Sequence, residues 1–124
     1  MGKFVIRTSK NGVRFHLNTD AGQTIAVSEM YKSDMTCRRG IQSVCRNAGG
    51  ASLEDQTIEG HLIQINPKFE VYQDKAGQFR FRLKARNGQI IAASNGYDTR
   101  EACMAGVESV RRNVRGAAIE EDNS

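Results

Sequence analysis

Apolar residues stand at every second position in two stretches near the N-terminus. Phe4 and Ile6 mark the first stretch, and Phe15 and Leu17 belong to the second. A period of two is typical of strands that bury one face and expose the other. Turn-forming residues separate the two stretches, and a short apolar segment over 25–27 follows another turn. The pattern therefore predicts three consecutive strands.

The pattern then changes to helical spacing. Cys37, Ile41 and Val44 recur at intervals of three or four residues, which is typical of a helix that packs one face on a core. Ser33 stands where an N-cap is needed. A short extended segment at 52–54 would supply a fourth strand.

The same succession occurs twice along the chain. Phe15 to Ser28 is matched by Phe81 to Ser94, and Cys37 is matched by Cys103 in the same register. Thr99 answers Ser33 as the second N-cap. An internal repeat of this length indicates two copies of one structural unit.

Two such units need each other, because a chain of about sixty residues buries a small core and leaves one sheet face uncovered. We predict an α+β fold of two tandem β3-α-β units that share one antiparallel sheet, with both helices on one face. The predicted boundaries are a first repeat at 1–55, an inter-repeat segment at 56–66, and a second repeat with an acidic tail at 67–124.

The turn after the second strand decides which side chains face the core. Asn87-Gly88 alone is typical of a two-residue hairpin, but Ala21 in the first copy would resist a positive φ. A three-residue loop ending in a left-handed Gly fits both copies. On the phenylalanine face we then expect Ile25, Val27, Ile91 and Ala93. On the opposite face we expect Ala26, Ala92 and Ile90.

Composition excludes several classes of protein. Lysines and arginines number 18 against 14 acidic residues, so the net charge is only +4, a mild preference for anionic partners. The three cysteines show no CxxC spacing, which argues against a disulfide framework or a zinc site. No apolar run could span a bilayer and the N-terminus has no signal-peptide core. We expect a cytoplasmic protein that does not bind membranes.

At Lys68 to Asn113, the pattern KFEVYQDKAGQFRFRLKARNGQIIAASNGY, followed by ACMAGVESVRRN, resembles the YegP-like family of small bacterial proteins. The resemblance covers nearly the whole chain and is weaker in the first copy, where Val5-Ile6-Arg7 and Cys45 depart from it. It implies two β3-α-β units in one sheet with their C-terminal strands exchanged, an arrangement that single-unit members would reach as homodimers. Family members are usually described as of unknown function, so the resemblance implies no catalytic residues.

The stretch FRFRLK raises the question of a binding surface. If the helices cover one face, basic and aromatic side chains from both copies share the other. These candidate residues are Arg7, Arg14, His16, Tyr72, Arg80, Arg82 and Lys84. A basic sheet resembles a platform for single-stranded nucleic acid, because arginine contacts phosphates and stacks on bases. The competing interpretations are an ordinary solvated sheet face and a protein-binding surface.

Residues that could carry chemistry point to no enzyme, metal site or cofactor. His16 and His61 have no sequence partner that would form a catalytic or metal site. Cys37 and Cys103 belong to the apolar helix stripe and are predicted to be inert core thiols, whereas Cys45 is expected to be more exposed. Glycines in the middle of both helices indicate a close approach of each helix to the sheet or to its twin.

Three hypotheses remain open. The chain could be a non-enzymatic module that binds polyanions weakly, a protein-interaction or assembly module that uses sheet edges or exchanged strands, or a thiol-dependent redox protein. Its partner would be nucleic acid in the first case and another protein in the second. The tandem copy favours a monomer with an internal pseudo-dimer over a homodimer.

Overall fold

The computed structural model describes residues 2–122, so Met1 of the predicted first repeat and Asn123 and Ser124 of the second lie outside the described residues. Eight strands and two helices follow one another along the chain. They are β1 (Lys3–Ser9), β2 (Gly12–Asn18), β3 (Thr24–Val27), α1 (Asp34–Asn47), β4 (Ser52–Asp55), β5 (Lys68–Gln73), β6 (Phe79–Lys84), β7 (Ile90–Ala93), α2 (Arg100–Asn113) and β8 (Ala118–Asp122).

All eight strands form one sheet in the order β4-β5-β6-β7-β3-β2-β1-β8. The last strand of each repeat has left its own unit, since β4 pairs with β5 and β8 pairs with β1. These two outer pairs are parallel, and the named pairs between them are antiparallel. The tandem α+β fold and the exchange of C-terminal strands are thus confirmed.

The core lies between the sheet and the two helices and contains matching residues from both repeats. Phe4 packs edge-on against Phe15 at 5.5 Å between ring centroids, and Phe69 packs against Phe81 at 6.0 Å. All four rings are completely buried and belong to one continuous cluster with the apolar stripes of both helices. Each repeat therefore completes the core of the other.

Both helices begin where the sequence predicts. The Ser33 hydroxyl accepts a hydrogen bond from the Thr36 N–H at 3.2 Å, and the Thr99 hydroxyl accepts one from the Ala102 N–H at 3.1 Å. Each bond satisfies a backbone donor that the first helical turn leaves without an intrahelical partner.

The mid-helix glycines accommodate tyrosines from their own repeats. A Cβ on Gly40 would lie 2.3 Å from Tyr31 Oη, and one on Gly106 would lie 2.4 Å from Tyr97 Oη. Tyr31 stacks on Phe15 and links the helix to the sheet. The expected close approach exists, but the tyrosine rings rather than the twin helix account for it.

The three-residue loops are confirmed, with Gly22 at a φ of 84° and Gly88 at 86°. The faces that we derived from them were only partly right. In β3 one extra residue, Ile25, stands between the partners of Leu17 and Asn18, and Ile91 does the same in β7.

These β-bulges shift every later side chain to the other face, because side chains alternate with a period of two. Val27 and Ala93, predicted to face the core, lie on the uncovered face instead. Ala26 and Ala92, predicted to face outward, are buried in the core. The buried positions of Ile25 and Ile91 and the outward position of Ile90 agree with the prediction.

Arginines on the helices hold the exchanged strands in place. Arg100 of α2 donates from Nε to Asp55 of β4 at 2.7 Å, and Arg38 of α1 pairs with Glu121 of β8. In each case the helix and the strand come from different repeats. The exchange is therefore secured by ion pairs as well as by backbone pairing.

Candidate sheet-face binding surface

The face of the sheet that the helices leave uncovered, called the sheet face below, carries all the predicted site residues. Strand register shows this, because directly paired residues in neighbouring strands point to the same side. Arg7 pairs with Arg14, and Tyr72 pairs with Arg80. His16, Arg82 and Lys84 alternate with buried core residues on the same strands. The fold thus divides the predicted residues into two groups, one on β1 and β2 and one on β5 and β6.

An apolar strip separates the two groups. Val27 of β3 pairs with its repeat equivalent Ala93 of β7, and Ile90 lies beside them. These three residues, called the central strip below, line a shallow cleft of about 290 Å³ together with Ser28, Glu29 and Ala92. Arg14 and Arg80, which are also repeat equivalents, stand on the strands to either side.

Arg82 and Lys84 of the second group surround a buried carboxylate together with Lys68. Glu70 of β5 is 3% exposed. Its oxygens lie 2.6 Å from Arg82 Nε, 3.3 Å from Lys68 Nζ and 3.4 Å from Lys84 Nζ. The sequence argument overlooked Glu70, although the alternation in KFEVYQ places it on the same face as Tyr72.

A second buried carboxylate lies beneath the inter-repeat segment. Glu54 of β4 is 2% exposed and accepts hydrogen bonds from Gln56 Nε2, Lys68 Nζ and the Gln64 N–H, at 2.6, 2.8 and 2.7 Å. Burial by itself would raise the pKa of Glu54, but these hydrogen bonds outweigh it and lower the pKa to about 2. Glu54 is therefore negative at neutral pH. The inter-repeat segment, which contacts Glu54 through Gln56 and Gln64, covers this part of the sheet face.

The remaining cations differ in how readily they could meet a ligand. Arg80 pairs with Asp74 at 2.7 Å and Arg7 with Asp122 at 3.4 Å, both in partly exposed surroundings. Exposed pairs of this kind contribute little to stability, so an incoming phosphate can compete for the arginine. Arg14 donates to the Met30 sulfur at 2.9 Å and, within residues 2–122, has no carboxylate partner.

Arg82 and Lys84 are less available, because removing them from Glu70 would leave a buried negative charge with fewer partners. The Arg82 guanidinium also lies over the Tyr72 ring at 4.6 Å, so that side of the only aromatic ring among the predicted residues is occupied. The surface is therefore less basic and less aromatic than the sequence alone indicates.

His16 is a neutral member of the surface. Its pKa is lowered by burial and by the neighbouring positive charges of Arg7 and Arg14. The imidazole is therefore uncharged at neutral pH, and it can hydrogen-bond to a ligand without adding positive charge.

The cysteines show no sign of activated thiol chemistry. Cys37 and Cys103 are completely buried, and burial raises the pKa of each thiol to about 11. Both thiols are therefore protonated at neutral pH and react slowly. Cys45 is exposed, as expected, but partial desolvation of its thiol outweighs the nearby positive charge of Arg46 and also raises its pKa.

Residues 2–122 contain no group of three or more His, Cys, Asp or Glu side chains placed to hold a metal ion. None of the helices in this part of the chain is both long and apolar enough to cross a membrane.

Together, the fold and the surface define a class of protein: a single-chain pseudo-dimer of β3-α-β units with exchanged last strands and a mixed-charge sheet face. The chain belongs to the family described as "Domain of unknown function (DUF1508)", whose model matches it twice, over residues 9–55 and 74–121.

Relatives of one and two units are similar to this chain. The UPF0339 protein PA0329 of Pseudomonas aeruginosa is 33% identical over 123 residues, which cover 98% of this chain and 97% of that protein. The UPF0339 protein YegP of Escherichia coli is 32% identical over 94% of this chain and 92% of its own length. A UPF0339 protein of Methanosarcina acetivorans is 58% identical over 52 residues, which is 42% of this chain but 90% of that protein.

Solved structures share the complete architecture. The solution structure of the protein of unknown function yegP from E. coli superposes with a TM-score of 0.80 at 30% identity, covering 99% of this chain and 95% of that chain. UPF0339 protein SO3888 of Shewanella oneidensis gives a TM-score of 0.77 at 28% identity, with 97% and 90% covered. The prediction of a YegP-like tandem protein, from a family of unknown function, is thus confirmed.

Proposed function

We infer that this protein is a non-enzymatic binding module whose sheet face binds single-stranded nucleic acid weakly. The observation that carries this inference is the central strip of Val27, Ile90 and Ala93, which lies between the strands that carry Arg14 and Arg80. Bases would lie against the apolar strip, while phosphates would contact Arg14 and Arg80.

The same geometry limits the affinity. Stacking on aromatic rings is the main sequence-tolerant contribution to single-strand binding, and the central strip has none. Glu29 lines one end of the strip, and Arg80 must first release Asp74. With two phosphates neutralised, the slope of log Kobs against log salt should be about −1.4, or about sevenfold weaker binding between 50 and 200 mM salt.

The test is a fluorescence-anisotropy titration of labelled single-stranded DNA and RNA with the intact protein. Arg14→Glu combined with Arg80→Glu should abolish binding, because both predicted phosphate contacts become repulsive. Arg112→Glu combined with Arg115→Glu changes the net charge equally on exposed positions at the end of α2 and should bind like the wild type. Arg82 is unsuitable for this test because it supports the buried Glu70.

Two results would refute the inference. The first is no binding by the wild type at physiological salt. The second is an equal loss in both charge-reversed variants, because binding would then depend on net charge rather than on the sheet face.

A second candidate function, self-association, is favoured by the inter-repeat segment. Leu62, Ile63 and Ile65 are 79%, 82% and 84% exposed in a stretch that forms no regular strand. Exposed apolar groups in a row are typical of interaction sites, and an extended segment can pair with its own copy around a two-fold axis. Sedimentation velocity at rising concentration should then show a dimer that Ile63→Lys removes, and a monomer throughout would refute it.

A further inference from the structure

A second cleft lies on the opposite side of the sheet, between the end of α1 and the β6–β7 loop. It encloses about 660 Å³ and is lined by Ser43, Arg46, Asn47, Ala85, Arg86 and Asn87. A smaller cavity of about 190 Å³ adjoins it, because Ser43 lines both, and brings in Arg39. Arg39, Ser43 and Arg46 follow one another at helical spacing, so they share one side of α1. The two cavities together are called the helix-side cleft below.

The helix-side cleft contains positive charge without compensating negative charge. No carboxylate is among the residues that line either cavity. Arg39, Arg46 and Arg86 form no ion pair within the described part of the chain, in contrast to Arg38, which holds Asp34 and Glu121. Like Arg38, most arginines of the sheet face are paired with carboxylates. The cleft therefore concentrates the unneutralised guanidinium groups of α1 and the β6–β7 loop.

The other repeat shows that the fold does not require these arginines. The equivalent place lies between the end of α2 and the β2–β3 loop. There Ala105 stands where the helix-side cleft has Arg39, and Asp20 stands where it has Arg86. Only Arg46 has a basic counterpart, Arg112. The same backbone arrangement thus forms with and without the basic cluster, which points to a ligand rather than to folding as its reason.

We propose that the helix-side cleft binds the oligophosphate group of a small phosphorylated molecule. Its volume lies within the range of about 300–1,000 Å³ that is usual for small-ligand sites. The planar donor fork of arginine matches phosphate oxygens. The larger cavity has no aromatic side chain to hold a base, and Tyr31 of the smaller cavity is already stacked on Phe15. The carbonyl end of α1 disfavours an anion, which explains why more than one arginine is present.

The experiment is a titration of isotope-labelled intact protein with inorganic tripolyphosphate, followed by amide chemical shifts and by calorimetry. Shift changes should map to the residues around Arg46 and Asn87. Arg46→Ala combined with Arg86→Ala should weaken binding at least about tenfold, since each removed guanidinium deletes a charge-assisted contact. Arg112→Ala combined with Arg115→Ala removes the same charge from the other repeat and should leave the affinity unchanged.

A gain-of-function variant tests the proposal without relying on a loss of tripolyphosphate binding. Ala105→Arg combined with Asp20→Arg gives the second repeat the charges of the first, so the stoichiometry should rise from one to two per chain. The proposal is overturned if the wild type does not bind tripolyphosphate at millimolar concentration, or if the control pair weakens binding as much as Arg46→Ala with Arg86→Ala. Arg14→Glu with Arg80→Glu should keep tripolyphosphate binding, so this test is independent of nucleic-acid binding by the sheet face.

Discussion

Lys68 and Lys3 occupy the same position in the two repeats, yet their surroundings differ. The Lys68 side chain is 9% exposed and lies 2.8 Å from Glu54 and 3.3 Å from Glu70. Lys3 is 41% exposed and pairs at 3.3 Å with Glu120, which is itself half exposed. Replacing each lysine with methionine keeps much of its length but removes its charge. The two variants therefore compare a buried network with a surface ion pair at one structural position.

We expect Lys68→Met to be clearly more destabilising than Lys3→Met. Breaking a fully buried ion pair costs about 3–5 kcal/mol, whereas an exposed pair is worth about 0–1 kcal/mol. The cost should be below about 3–5 kcal/mol here for two reasons. Only one chain segment separates Glu54 and Glu70 from solvent, and both carboxylates keep other hydrogen-bond donors after Lys68 is removed. A loss of about 2 kcal/mol is expected for Lys68→Met, which corresponds to a Tm lower by about 8 °C.

The assay is urea unfolding of the wild type and both variants at several pH values. The depressed pKa of Glu54 contributes stability that is complete above its unfolded pKa near 4.5 and is lost as the pH falls toward about 2. Gln56 and Lys68 both contribute to that depression, so the gap between the wild type and Lys68→Met should narrow over this range. Equal losses in the two variants, or a gap that does not change with pH, would refute the buried network.

Three shorter predictions concern other parts of the chain. Gly106→Ala should lower the free energy of unfolding by about 1–2 kcal/mol, because its Cβ would lie 2.4 Å from Tyr97 Oη, while Gly49→Ala, with open space around it, should not. In a thiol-reagent assay Cys45 should react in the folded protein and the two buried cysteines only after unfolding; three equal rates would contradict this. Truncation after Gly116 removes β8 and leaves β1 as an unpaired edge, so sedimentation should detect more self-association than the full-length chain shows at the same concentration, and Ile63→Lys should not remove the excess.

Local features of the fold were predictable because they depend on residues close together in the chain. The stripe of Cys37, Ile41 and Val44 identifies α1, and Ser33 marks its start through a hydrogen bond to a residue three positions on. The prediction of which side chains of β3 and β7 face the core was partly wrong. A single extra residue at Ile25 or Ile91 reverses the side on which all later side chains of the strand lie. Nothing in the residue types around these bulges distinguishes them from regular strand.

The seven residues of the candidate surface lie on one face of the sheet, as the alternation along their strands indicates, but the sequence does not show which of them have ion-pair partners. The stretch FRFRLK shows no acidic residue near Arg82, but Arg82 is paired with Glu70 on the neighbouring strand. Glu54 reaches the same network only because β4 pairs with β5 of the other repeat. Ion pairing across strands depends on strand order, which a single sequence does not contain.

The amino-acid sequence by itself determined the strands, the helices, the repeat and the core face of most strands, because backbone preferences and apolar periodicity act over a few residues. Only the tertiary structure decided the order of the strands, the pairing that follows from their exchange, and the cations that remain unneutralised. Those outcomes depend on contacts between residues far apart in the chain, such as the pairing of β1 with β8 and of β4 with β5. Their free energies are gained only when both repeats have closed into one sheet.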